Sequence, residues 1–251
     1  MQQIQSPSAP NNPPINAVTD LTSNRLLAAM PAAELAYWVP HLQRVELSLG
    51  QVISEPGYEL EYAYFPIDAI VSLLYVMKDG ESAEIALVGN EGMLGLTLFM
   101  GGNSTTIQAV VQSAGHSYRI PAREVVAAVS RGGATLQLLL LYTQSLLTQI
   151  TQTAACNRHH TLKQQFSRWL LLSFDRLPSR DMVMTQKLIA KMLGVMGEEV
   201  TAVAVALAAT GAIGYEHGHI HLLDRATLEK TSCECYLAVK RESDRLLPPN
   251  A

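Results

Sequence analysis

A chain of 251 residues, 48% apolar and 16% charged, can bury one large core or two small ones and is not disordered over most of its length. Its formal net charge of −4 excludes a global attraction to phosphate backbones or acidic membranes, so any nucleic-acid contact has to be local. Three cysteines, Cys156, Cys233 and Cys235, form no even disulfide framework and fit a reduced cytosol, which makes a cytoplasmic protein the expectation.

The opening "MQQIQSPSAPNNPPI" has neither the basic nor the apolar region of a signal peptide, and its composition predicts a disordered lead-in over residues 1–20. Residues 21–43 are helical and apolar on one side, with Pro31 and Pro40 as start or stop signals. From Val45 the period changes. "VELSLGQVI" alternates, "YAYFPIDAIVSLLYVM" is rich in aromatic and β-branched residues, and "KDGE" joins it to "SAEIALV" as a hairpin over 70–88. "GNEGMLGL" is a glycine-punctuated loop or short helix, and "TTIQAVVQSAGHSYRI" supplies two more strands. Short strands with turns at this spacing suggest an antiparallel roll or jelly roll.

Near Pro121 the period becomes helical. "AREVVAAV" is a short helix broken at "RGG", and a long helix follows over 134–157. Its Leu136, Leu139, Leu140, Leu146, Leu147 and Ile150 form a stripe wide enough to pack both on the chain's own roll and on a second copy of itself, the alternative being an intramolecular core helix. The most apolar runs fall short of the roughly 20 residues a spanning helix needs, so no membrane is expected. "HHTLKQQFSRWLLLSFDRL" is another amphipathic helix. "MTQKLIAKMLGVMGEEVTAVAVALAATGAI" then scans as two helices joined at Gly194, where a helix-turn-helix often needs positive φ. Thr185 stands at an N-cap position. "IGYEHGHIHLL" is a wing hairpin, and one final helix is expected from about Arg225 to Leu247.

In this order "PGYELEYAYFP", "GNEGMLG", the leucine-rich helix, "MTQKLIAKMLGV" and "GHIHLLDRATLE" resemble the cyclic-AMP receptor protein / fumarate-nitrate regulator (Crp/Fnr) family of bacterial transcription factors, over roughly residues 25–247. The resemblance implies an α+β chain. An N-terminal β-roll sensor of the cyclic-nucleotide-binding type would occupy 21–133, a dimerisation helix 134–157 and a winged helix-turn-helix 158–251. It also implies a homodimer on a two-fold symmetric duplex site, with RNA polymerase as a further partner, and no enzyme.

Departures from the family pattern bear on function. The cyclic-nucleotide cassette needs a Glu after a Gly and an Arg for the phosphate. Here the positions are Gly95, Leu96 and Gln108, and an amide supplies neither full charge nor a bidentate fork, so no cyclic nucleotide is expected. The family's recognition helix presents Ser, then Arg-Glu, then a later Arg. These positions are Met196, Gly197, Glu198 and Ala202. A carboxylate can accept from cytosine N4, but the two arginine forks for guanine are missing.

Residues 180–251 hold eight Lys/Arg and nine Asp/Glu, which predicts weak binding with a shallow salt slope. Thr185, Gln186, Lys187, Lys191, Thr201 and the wing's His217 complete the DNA-facing set, with Arg158, Lys163 and Arg180 as further phosphate contacts. An alternative is a winged-helix dimer that has lost DNA binding and acts through protein contacts. His217, His219 and His221 share one hairpin face, either as a solvated surface, as a pH-sensitive phosphate contact or as a weak metal site.

No cysteine precedes Cys156, so an iron–sulfur cluster is not expected. Cys233-Glu234-Cys235 lacks partners for zinc in the sequence and is assigned to packing of the last helix. No cofactor, metal or catalytic set is expected.

Overall fold

The computed structural model describes residues 21–216 and 218–247. The expected disordered lead-in and His217 lie outside the described residues. The chain opens on two short helices, α1 (Arg25–Ala28) and α2 (Ala32–Trp38). Pro31 stands at the N-cap of α2, and Pro40 sits in the 3-10 turn that follows it. Buried Asn24 ties this segment to the rest: its Oδ1 accepts from the Leu26 and Leu27 amides, and its Nδ2 donates to the carbonyls of Pro66 and Gly92.

The roll follows: β1 (Gln43–Leu47), β2 (Val52–Ser54), β3 (Tyr62–Pro66), β4 (Ile70–Val76), β5 (Ser82–Val88), α3 (Thr97–Met100), β6 (Gln108–Ser113) and β7 (Gly115–Pro121). Two antiparallel sheets form, in the orders β1-β7-β3 and β2-β6-β4-β5. The expected hairpin is the β4–β5 pair, running from Val71 opposite Val88 to Val76 opposite Ser82 with a register shift between Leu73 and Leu74, and Gly80 takes φ +89° in its turn. The four-stranded sheet is covered on both faces, which is why its strands read as apolar runs. Val71, Val88, Ala109 and Val111 pack inward with Leu47 and Leu146. Ile70, Leu74, Leu87 and Val110 pack outward against the second half of the chain.

That second half comprises α4 (Ala122–Ser130), α5 (Ala134–His159), α6 (Leu162–Phe174), β8 (Asp181–Val183), α7 (Gln186–Leu193), α8 (Gly197–Ala208), β9 (Ile213–Glu216), β10 (His219–Leu222), α9 (Arg225–Thr231) and α10 (Glu234–Leu246). The last three strands form a sheet in the order β8-β10-β9. No single described helix is long and apolar enough to cross a membrane.

One expectation needs correction. The final helix is two helices, because Ser232 and Cys233 take extended backbone between α9 and α10. The stripe on α5 is divided. Leu139 and Leu146 are buried in the chain's own roll, and Ile150 lines a cavity there. Leu140 and Leu147 point outward at 53% and 56% exposure, and Leu136 is half-buried.

Helix α6 is buried along nine consecutive residues, from Phe166 to Phe174. Phe166 and Trp169 stack at 5.9 Å within the core that joins the roll's outer face to the winged segment. Each such side chain contributes about 1.5–3 kcal/mol by burial. Exposed ion pairs such as Arg225–Glu229 contribute about 0.3–0.5 kcal/mol. Apolar packing therefore seats the winged segment.

Beneath α6 lies a buried polar chain. Ser72 Oγ is 2.6 Å from Glu84 Oε2 and 2.8 Å from Gln112 Oε1, and Gln112 Nε2 donates to Ser173 Oγ at 2.9 Å. One hydroxyl proton cannot serve two acceptors, so the arrangement suits a protonated Glu84 that donates to Ser72. Burial pushes the Glu84 carboxyl from 4.5 up to about 7. The folded chain then keeps a proton that the unfolded chain releases between those values. The stabilisation is present in full below the unfolded value and is lost as pH rises to about 7, by about 3 kcal/mol. Urea unfolding of Glu84→Gln is expected to be flat from pH 5 to 8 where the parent loses stability. An equally flat parent would refute the assignment.

Candidate functional site

The helix-turn-helix is built as its sequence dictates. The Leu188 amide donates to Thr185 Oγ1 at 3.2 Å, which caps α7. Gly194 ends α7 in the left-handed region at φ +66°, a conformation other residues adopt at a cost. Met196 is the N-cap of α8 and offers no side-chain acceptor. Glu199 supplies half a capping box instead: the Met196 amide donates to its Oε2 at 3.0 Å. Glu198 and Glu199 occupy the first turn, where the helix dipole favours negative charge. The acidic start of this helix thus has a local structural cause.

Several expected phosphate contacts are engaged within the protein. Gln186 Nε2 donates to the Gly197 carbonyl at 2.6 Å and to Thr201 Oγ1 at 2.5 Å, which bolts α7 to α8. Thr185 is taken by its capping bond. Lys191 Nζ donates to Gln108 Oε1 on β6 at 3.3 Å, so it faces the roll. Lys187 is exposed. On α8, Val200, Ala204 and Leu207 are buried, while Glu198, Thr201 and Ala202 are exposed. Met196 and Val205 are also exposed, at 68% and 58%.

In the wing, the His219 and His221 rings stack at 6.3 Å, and His221 Nδ1 lies 2.5 Å from Asp181 Oδ1 on β8. That contact holds the Asp181 carboxyl below its ordinary range. The DNA role expected of His217 falls outside the described residues.

The roll encloses a cavity of about 190 Å³ whose lining carries no charged residue. Ile53, Leu60, Leu73, Leu96 and Ile107 give it an apolar wall, and Ser54, Tyr62, Tyr64, Thr97 and Thr105 add polar atoms. An adjoining depression shares Ile53, Ser54, Leu60, Tyr62 and Tyr64 and adds Glu55, Glu59 and Glu61. Of the cassette positions, Gly95 (φ +102°) and Leu96 reach the cavity. Gln108 does not. Strand alternation turns Ile107 and Ala109 inward, and Gln108 Nε2 donates to Glu55 Oε2 at 2.9 Å outside.

The glycines of "GNEGMLG" act by close approach. A Cβ on Gly92 would collide with the Tyr142 ring of α5, and one on Gly89 would meet the stem of Arg176 at 2.8 Å. Between them Glu91 forms a buried ion pair with Arg176 Nε at 2.7 Å.

One cluster escaped the sequence reading. Cys156 and His160, four residues apart at the end of α5, meet Cys233 and Cys235, with all four ligand atoms within 4.8 Å of one another. The expectation that Cys233-Glu234-Cys235 lacks partners is therefore wrong. The available signal was a Cys-x-x-x-His spacing on a helix, one turn apart.

Two domain models match this chain: the cyclic nucleotide-binding domain over residues 44–131 and the Crp-like helix-turn-helix domain over 164–231, together more than half of it. No curated protein gives a significant sequence match. Among solved structures the chain is similar to FixK2 from Bradyrhizobium japonicum, at 18% identity over 76% of this chain and 98% of that one, TM-score 0.66. It is also similar to TTHB099, a CRP-family transcriptional regulator from Thermus thermophilus, at 18% identity over 76% and 96%, TM-score 0.60. A third is CLP of Xanthomonas campestris, a c-di-GMP responsive global regulator, at 15% identity over 77% and 100%, TM-score 0.59. At these identities the structural likeness is one of fold. The two matched domains, in this order on one chain, carry the further step: this protein belongs to the Crp/Fnr family of transcriptional regulators.

Proposed function

We propose that the protein works in the cytoplasm as a homodimer that binds a two-fold symmetric DNA site through α8 and the wing, with a roll that takes no cyclic nucleotide. The observation that carries the DNA reading is the outward face of α8. Glu198, Thr201 and Ala202 are turned to solvent at its first turns while Val200, Ala204 and Leu207 hold the scaffold. Glu198 can accept from cytosine N4, and Ala202 and Val205 can contact thymine methyl groups. Lys187, Arg180 and Arg158 are exposed and available to phosphates, which gives few neutralised charges and a shallow salt dependence. RNA polymerase is the further partner of such a regulator.

Two exposed leucines seven residues apart, Leu140 and Leu147, support the dimer, because that spacing presents one seam to a second long helix. The uncharged cavity and its acidic border support exclusion of a cyclic phosphate: an anion there finds no cation and meets Glu55, Glu59 and Glu61. A neutral, largely apolar effector fits this chemistry. The exposed Met196 and Val205 favour a second reading, in which α8 docks on a protein.

Selection from a random duplex pool at low salt is expected to enrich a two-fold symmetric site. Gly197→Arg, whose Cβ would touch only Gln186 at 3.4 Å or more, is expected to tighten binding and steepen the salt slope by about one phosphate per subunit. No enriched motif and an unchanged slope would favour the protein-docking reading. Sedimentation of Leu140→Glu/Leu147→Glu is expected to show monomers at concentrations where the parent is dimeric; a persistent dimer would place the interface elsewhere. Saturating cyclic AMP is expected to leave the melting temperature unchanged, since a ligand selective for the folded state must raise it.

A further inference from the structure

We propose that Cys156, His160, Cys233 and Cys235 form a binding site for one thiophilic divalent metal ion, zinc by its ligand chemistry, which clamps the end of α5 to the start of α10. The three thiols are buried, and the four ligand atoms lie within 4.8 Å of one another. Cys156 Sγ is 3.5 Å from Cys233 Sγ, and Cys235 Sγ is 3.7 Å from His160 Nδ1. A tetrahedral zinc ion with ordinary Zn–S and Zn–N bonds spaces its ligand atoms about 3.5–3.8 Å apart. The cluster therefore suits a single ion at its centre and is too tight to enclose a cluster of several irons.

His160 is oriented for this role. Its Nε2 lies 3.2 Å from Glu234 Oε2, so that nitrogen carries the proton and donates to the carboxylate. The Nδ1 lone pair is left facing the thiols. Three thiolates and one dication sum to a single negative charge. The guanidinium of Arg168, itself buried and donating to Thr153 Oγ1 at 3.1 Å, acts electrostatically on both Cys156 and Cys235 and balances it. A disulfide between Cys156 and Cys233 would use two of the thiols and leave the Cys235–His160–Glu234 arrangement without a role.

The backbone is shaped to make the cluster. Cys156 lies in the last turn of α5 and His160 is its C-cap, where the His160 amide donates to the Cys156 carbonyl. The extended break at Ser232 and Cys233 delivers Cys233 and Cys235 together at the head of α10. α10 packs along α5, and at the other end of their contact Gln144 Nε2 donates to Glu242 Oε1. An ion here joins the end of the long helix, where the chain enters the winged segment, to the last helix of that segment, and fixes their mutual placement. The inference stands whether or not α8 reads DNA.

The test uses the full-length protein, reduced and stripped with a chelator, and titrated with cobalt(II). One cobalt per chain is expected, with a thiolate-to-cobalt charge-transfer band and the intense visible bands of a tetrahedral ion, all displaced by one equivalent of zinc. Cys233→Ser is expected to weaken the charge-transfer band. Zinc is expected to raise the melting temperature of the parent and not that of Cys156→Ser. Glu234→Gln, at an exposed position that folding does not require, is expected to lower zinc affinity about 10–100-fold by releasing the imidazole. It decides the matter if the cysteine variants fail to fold. Absence of tetrahedral cobalt bands overturns the proposal, as do bands unchanged in Cys233→Ser, zinc affinity unchanged in Glu234→Gln, or a reduced protein that binds no metal and reoxidises only to a disulfide.

Discussion

The structure turns on the burial of α6. Nine consecutive buried residues leave this stretch no solvent-facing stripe, so the polar groups brought inward here and just beyond it depend on partners in the protein. Ser173 meets Gln112, Arg168 meets Thr153, and Arg176 meets Glu91 and the Leu172 carbonyl. The apolar remainder joins the outer face of the roll's four-stranded sheet to the core of the winged segment. The two halves share one interior, and movement of the winged segment on the roll has to open that interior or slide within it.

The contact explains the fate of several surface charges. Lys191 lies on the side of α7 that meets the roll, where it bonds to Gln108 and is drawn toward the sheet. The acids at the head of α8 answer to the helix itself, through its dipole and the Glu199 cap. A recognition helix with this charge is stable on its own terms, and the specificity open to it is that of a carboxylate and small apolar groups rather than of arginine forks.

The sensor end shows the same economy of charge. A phosphate cassette needs a cation inside the roll, and the cavity lining holds none among the described residues. Arg119, on the strand paired with that of Tyr62, stacks over the Tyr62 ring at 4.3 Å and donates to Gln43. Gly89 and Gly92 let Arg176 and Tyr142 approach the backbone, which locks the loop to α5 and to the chain just after α6. Gln108 stands where the family pattern places its phosphate-binding Arg. Strand alternation excludes it from the cavity, and a register argument over Ile107-Gln108-Ala109 could have found this.

By itself the sequence determined the order of elements, the Gly194 turn, the Thr185 cap, the β4–β5 hairpin and the missing arginines, because each rests on local backbone preference or on residue identity at a matched position. It also determined that α5 carries a stripe wider than one partner needs. Only the tertiary structure decided how that stripe divides, with Leu139 and Leu146 inside and Leu140 and Leu147 outside, because periodicity gives the face of a helix and not what lies against it. Only the tertiary structure brought Cys156 and His160 to Cys233 and Cys235, across a separation of more than seventy residues. Proximity of that kind is set by the packing of α10 on α5 and by the two-residue break that aims it, and no short-range pattern in the chain encodes either.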